Sequence, residues 1–206
     1  MLKSFTQAAA DYCAAAKNRQ RQSVPRLLIL GILAGMFIAL AGTAASVGGA
    51  LAGKIASAAI FPAGLAMVIL AGSELFTGNC LFLLPLLRGD ITGGRTMGSW
   101  AIVYCGNLIG SIVIAFVVVR CGVLDSIAPA AIATAAAKAS LPFGVAFLRG
   151  VLCNLLVCLA VWMAFCAGSA GGKVVSLYGP IFLFVLCGFE HSIANMFYLP
   201  AGILLS

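Results

Sequence analysis

The chain has 206 residues, of which 63% are hydrophobic and 8% charged, with a formal net charge of +7. A soluble domain carries roughly 25% charged residues, which excludes a water-soluble globule. The apolar stretches also lack the alternation of a membrane barrel. Basic residues gather at the ends of apolar runs, where they serve topology and lipid-headgroup contact rather than nucleic-acid binding.

Residues 1–24 do not read as a secretory signal, because no short apolar core with a cleavage site follows the basic residues. Leu2, Phe5, Ala9, Tyr12 and Ala16 recur at helical spacing among Lys3, Lys17, Arg19 and Arg21. That pattern predicts an N-terminal helix lying in the membrane interface, with packing on its own protein as the alternative. Pro25 suits the first turn of the next helix. Residues 27–53 are uncharged and hold the first span, whose Gly31 and Gly35 permit close helix packing. Its Gly/Ala/Ser-rich end, Ser46–Ala52, predicts an exit and a loop reaching Lys54.

Residues 55–87 carry Glu74 as their sole charge. One straight helix of that length would reach about 50 Å, against a hydrocarbon core of about 30 Å. A break is therefore expected within Gly72–Asn79, and irregular backbone at membrane depth survives only when buried in protein or lining a cavity. Arg88, Asp90 and Arg95 mark a polar turn. The third span covers Thr96–Val119, with Gly106 and Gly110 at another close-packing spacing. Residues 121–140, with Pro129 and Lys138, read as a connection bearing a short surface helix. The fourth span is Leu141–Ala167. Residues 174–206 repeat the pattern of 55–87, with Glu190 as the sole acid and His191 as the single histidine of the chain. Most of the eight cysteines fall inside apolar spans without a C-x-x-C pair. They read as small hydrophobes, so neither a metal site nor a cofactor is expected.

The two polar interruptions match each other. Gly72, Glu74 and Asn79 recur as Gly188, Glu190 and Asn195, each 116 positions later. An internal repeat with a polar break in each half points to a transport site. The chain thus divides as one transmembrane channel domain over 1–206, with a first repeat at 27–120 and an incomplete second at 141–206. The mate of the third span falls beyond Ser206, so a sixth span is expected that this chain lacks. Three spans per repeat make the second copy inverted. Lys3, Lys17, Arg19, Arg21, Arg26, Arg88, Arg95 and Lys173 would share one side, against Lys54, Arg120, Lys138 and Arg149 on or near the other. The positive-inside rule then puts the N-terminus in the cytoplasm.

Three motifs carry a resemblance: Ala71-Gly-Ser-Glu-Leu-Phe-Thr-Gly-Asn79, Cys153-Asn-Leu-Leu-Val-Cys-Leu-Ala-Val-Trp162 and Gly188-Phe-Glu-His-Ser-Ile-Ala-Asn-Met-Phe197. In order and over essentially the whole chain, they resemble the formate/nitrite transporter family. The resemblance implies an all-α, aquaporin-like protomer of six spans with the second and fifth broken, assembled as a homopentamer with one pore per protomer. It implies small monovalent anions of weak acids as substrate: formate, nitrite or hydrosulfide. By position, His191 becomes the central pore histidine and Thr77 the polar residue of the loop interrupting the second span. Phe61, Leu65, Leu75 and Phe184 become apolar constrictions, Asn154 and Glu190 polar neighbours, and Lys138 an outer lysine that draws anions.

The residues themselves assign Glu74 and Glu190 a structural task at the breaks, capping loose backbone donors. Gly72, Gly78, Gly188, Asn79 and Asn195 frame them. The remaining partner is membrane lipid, and the setting a bacterial inner or plasma membrane. Two alternatives stay open. A neutral-solute channel of aquaporin type would show paired Asn-Pro-Ala signatures, which the sequence lacks. An intramembrane enzyme would need paired carboxylates or clustered thiols beside the histidine. The physiological anion, and passive versus proton-coupled permeation, are also open at this point.

Overall fold

The computed structural model describes residues 3–206; the first two residues of the predicted N-terminal segment lie outside it. Helix α1 (Phe5–Arg19) starts where the Ser4 hydroxyl accepts the Gln7 N–H. Ala8, Tyr12, Cys13 and Ala16 form its buried stripe. Tyr12 packs edge-on against Trp162 and Phe165 and tilted against Phe82. The apolar face of α1 therefore meets protein, as in the alternative reading above, while Phe5 remains exposed. Lys17 pairs with Asp90 at 3.0 Å, and Gln20 donates to Thr96, tying α1 to the Arg88–Arg95 turn.

Helix α2 (Val24–Ile60) carries Pro25 in its first turn. The expected loop over Ser46–Ala52 does not form. The helix continues through Leu51 and reverses within two residues, Ala52 and Gly53, with Gly53 at φ 80°. The small polar residues that suggested a loop are satisfied inside the helix: the Thr43 and Ser46 hydroxyls donate to the Ala39 and Gly42 carbonyls. Such back-bonding removes the need for solvent or a turn at these positions. The returning limb packs antiparallel on the first, Gly49 beside Ser57 and Gly64 beside Ala41. Phe61 and α3 (Pro62–Ala71) extend that limb.

The break falls where the sequence placed it. Gly72 closes α3 at φ 69°, a left-handed conformation that other residues adopt only with strain, and Leu75 is extended. The chain resumes as α4 (Phe76–Asn79), a 3-10 turn (Cys80–Phe82) and α5 (Leu83–Leu87). Helix α6 (Gly93–Arg120) runs parallel to α2 with no space between backbones. A side chain on Gly106 would come within 2.8 Å of the Leu28 carbonyl, and Gly35 and Gly110 are as tightly placed. Small residues are what permits such approach between membrane helices.

The connection carries a 3-10 turn and α7 (Ala128–Ala139), the expected short helix. Then come α8 (Phe143–Cys166) and α9 (Ala170–Cys187). Gly188, at φ 74°, ends α9 as Gly72 ends α3, and α10 (Ser192–Leu205) follows the gap. The fold is all-helical, with no strand among the described residues. Four runs, Val24–Ala71, Gly93–Arg120, Phe143–Cys166 and Ala170–Cys187, are long and apolar enough to cross a membrane. The first is the hairpin reversed at Gly53. Ile38, Leu65, Val157, Ile181 and Ile193 fill the centre. Leu108, Ile112 and Phe116 of α6 and Phe147, Leu152 and Leu155 of α8 point outward. An apolar exterior of this kind suits hydrocarbon, not water.

Candidate pore site

The two breaks meet at one hydrogen bond. His191 Nε2 lies 3.1 Å from Thr77 Oγ1, and both side chains are buried. On its other side the ring acts as a helix cap, Nδ1 accepting the Ala194 N–H at 3.0 Å. Caps are usually Ser, Thr, Asp or Asn, so the histidine here supplies an acceptor normally drawn from a smaller residue. A ring nitrogen that accepts carries no proton. The tautomer is therefore Nε2–H, donating to the Thr77 hydroxyl. Thr77 sits in the first turn of α4 rather than in the loop expected for it; the irregular stretch is confined to Gly72–Leu75. Gly78 also lies within α4, where a side chain would press on Val161 at 3.2 Å.

Apolar rings and side chains bracket the histidine. Phe184 stacks on the imidazole with centroids 5.6 Å apart, and Phe61 meets Phe184 edge-on at 5.6 Å. Phe61, Phe184 and His191 wall a cavity of about 460 Å³ that opens at the Gly53 end of the molecule. Leu65 and Leu75 instead wall a second cavity of about 200 Å³, at the α1 end, with Arg19 and Lys173. The four apolar residues expected as constrictions thus divide into two pairs, one per cavity. A third cavity, about 390 Å³, brings Thr77, Cys153, Asn154, Glu190 and His191 together beside α8. Asn154 Oδ1 is buried there without a hydrogen-bond partner.

The acids behave alike, but not as caps. Asn79 Nδ2 donates to Glu74 at 2.8 Å, and Asn195 Nδ2 donates to Glu190 at 2.8 Å. Each acid also faces one cation from a flanking helix: Arg19 of α1 at 3.6 Å from Glu74, Lys138 of α7 at 2.7 Å from Glu190. Each acid is thus engaged by side chains, and the loose backbone donors of the breaks are met elsewhere. The Phe76 N–H goes to Asn107 Oδ1, the Glu74 N–H to the Leu30 carbonyl and the Ala194 N–H to His191. Lys138, expected as an anion-drawing lysine, is held in this ion pair and lies over the Tyr198 ring at 5.4 Å.

Asn107 is the residue that sequence reasoning missed. It is 0% exposed, accepts from Phe76 and donates to the Gly31 and Glu74 carbonyls at 2.7 and 3.0 Å. It therefore fastens the first break to α2 and α6 together. Its signal was a lone amide inside an uncharged span, overshadowed by the glycine spacing around it.

Comparison with known proteins agrees with this geometry. The family model for formate/nitrite transporters matches residues 6–206. The chain is 37% identical to a formate channel of Haemophilus influenzae, over 95% of this chain and 73% of the relative. A solved pentameric formate channel with formate bound is similar with a TM-score of 0.77 at 34% identity, covering 87% of this chain and 75% of that one. An ion channel of the same family reaches a TM-score of 0.84 at 31% identity, covering 97% of this chain and 84% of the other.

Proposed function

We infer the function of a chain that belongs to the formate/nitrite transporter family, and propose that it is an integral-membrane channel for small monovalent anions of weak acids: formate, nitrite or hydrosulfide. The observation that carries this reading is the placement of His191. It is the single histidine of the chain, buried where the two breaks meet, with an apolar pair toward each of two cavities. The likeness to a pentameric formate channel supports a homopentamer with one pore per protomer. The basic residues gathered around α1, the Arg88–Arg95 turn and Lys173 support a cytoplasmic N-terminus in a bacterial plasma membrane.

Permeation follows from the energetics of the collar. Moving a bare charge into a low-dielectric constriction costs many kcal/mol. Phe61 with Phe184, and Leu65 with Leu75, oppose an anion in this way. A protonated weak acid of the same size avoids most of that cost. Between the pairs, the Thr77 hydroxyl accepts from the Nε2–H of His191 and keeps its own proton to offer an anion, and Asn154 adds a free carbonyl acceptor for the protonated form. The site rewards the anion where it is polar and the neutral acid where it is apolar. That division selects weak acids over strong ones.

The test is flux into liposomes carrying the purified protein, with formate, nitrite and hydrosulfide across a range of pH, and glycerol as the neutral control. His191→Phe should lose most of the anion flux and flatten its pH dependence. Equal rates for the variant and the unaltered protein, or fast glycerol swelling, would refute the reading.

A further inference from the structure

The cavity at the Gly53 end contains two lysines, and their charges are not equivalent. Lys138 is bound to Glu190 at 2.7 Å, so the pair adds no net charge to the space it borders. Lys54 borders the same cavity and has no acidic partner among the described residues. Of the five acids in the chain, Asp11 pairs with Lys3, Glu74 with Arg19, Asp90 with Lys17 and Arg88, and Glu190 with Lys138. The fifth, Asp125, turns back onto its own loop at Gly122.

The position of Lys54 follows from the reversal of α2. It is the first residue after Gly53, and its Nζ lies 3.6 Å from where a side chain on Gly188 would begin, over the second break. Lys54, Ser57 and Phe61 all border the cavity. Their spacing of three and seven residues puts them on one helical face. An ammonium, a hydroxyl and the aromatic constriction therefore succeed one another down the wall, with about 10 Å of helix rise between first and last.

We propose that Lys54 is the residue that captures the permeant anion at this mouth, and that Lys138 serves as the fixed countercharge of Glu190. This rests on the channel reading above. An uncompensated ammonium at the rim of a low-dielectric cleft raises the local concentration of small anions, an effect that salt screens. Ser57 offers the next donor on the way to Phe61 and Phe184. Lys54 acts before the constriction, so it sets how readily the pore fills rather than how fast an anion crosses the collar.

The experiment measures initial formate flux into liposomes against formate concentration, at low and at high ionic strength. Lys54→Gln should raise the half-saturating concentration at low salt by about two- to fifteenfold, the effect of one charge about 10 Å away between an effective dielectric of 80 and 20. Its maximal flux should fall much less. Most of the salt dependence should vanish, Lys54→Arg should restore it, and Lys54→Glu should raise half-saturation further. Arg120→Gln removes the same charge from the same end of the molecule, at the close of α6 over the Phe116 ring and outside the cavity; it should behave as the unaltered protein does. The proposal is overturned if Lys54→Gln keeps the original half-saturation and salt dependence, or if Arg120→Gln matches its effect. Absence of anion flux from the unaltered protein would instead overturn the channel reading beneath it.

Discussion

At the scale of single residues, the pore rests on a bond in which His191 donates and Thr77 accepts. Thr77→Val keeps the shape and removes the acceptor, leaving a buried N–H unmet at a cost of about 1–3 kcal/mol. If that loss falls on the rate-limiting passage, formate flux drops roughly tenfold for each 1.36 kcal/mol. Thr77→Ser, which keeps the hydroxyl, should retain most of the flux in the same liposome assay. A drop shared equally by both variants would assign Thr77 to packing alone. Asn154 and Asn107 contrast usefully within this shell. Asn107 has both ends of its amide engaged and acts as a rivet; Asn154 keeps a free carbonyl oxygen beside His191.

At the scale of elements, α1 is held by attachments of different kinds. Burying most of Tyr12 against Phe82, Trp162 and Phe165 is worth about 2–3 kcal/mol. The Lys17–Asp90 and Arg88–Asp90 pairs are solvent-facing, and water and salt screen such pairs so that they contribute little. The apolar attachment wins. Hydrogen exchange in α1 should therefore rise far more for Tyr12→Ala than for Asp90→Asn. Acid should act through the carboxylate pairs and not through Tyr12. The hydrogen bond from Lys17 holds the Asp90 carboxyl below its ordinary range. A depressed folded value means stabilisation that is present above about pH 4 and lost as pH falls through that lower value. Exchange in α1 should thus change little from pH 7 to pH 5 and rise modestly below pH 4. A large release already at pH 5 would contradict this assignment.

The elements also mark the limits of what was legible in the sequence. Both breaks were, because an acid and a glycine inside an otherwise uncharged run leave few structural explanations. The reversal of α2 was not, because a run of Ala, Gly and Ser looks like a loop until its hydroxyls are seen to bond backward within the helix. The partners of Glu74 and Glu190 were equally hidden. Arg19 and Lys138 lie 55 and 52 residues away in sequence, and only the packing of α1 and α7 brings them in. The roles of Phe61, Leu65, Leu75 and Phe184 could not be told from core packing by periodicity; their division between two cavities came from the structure.

At the scale of the whole molecule, the outward faces of α6 and α8 are apolar along their lengths, and lipid or neighbouring protomers must cover them. Such a body sits in a membrane whose potential and proton gradient are stores of work, and any pore risks discharging them. The cap made by His191 bears on that risk. Its Nδ1 lone pair is taken by the Ala194 N–H and its Nε2 already carries the ring proton, so the neutral imidazole has no open nitrogen. A proton would have to displace the cap to board the ring, and none can enter at one nitrogen and depart from the other while the cap holds. His191 is a stopper rather than a wire. Vesicles holding the protein should therefore conduct protons no faster than empty ones until a permeant weak acid is added, when internal acidification follows the acid. Protein-dependent proton leak without any such acid would contradict the capped ring. A cell can then keep this pore in an energised membrane without a short circuit.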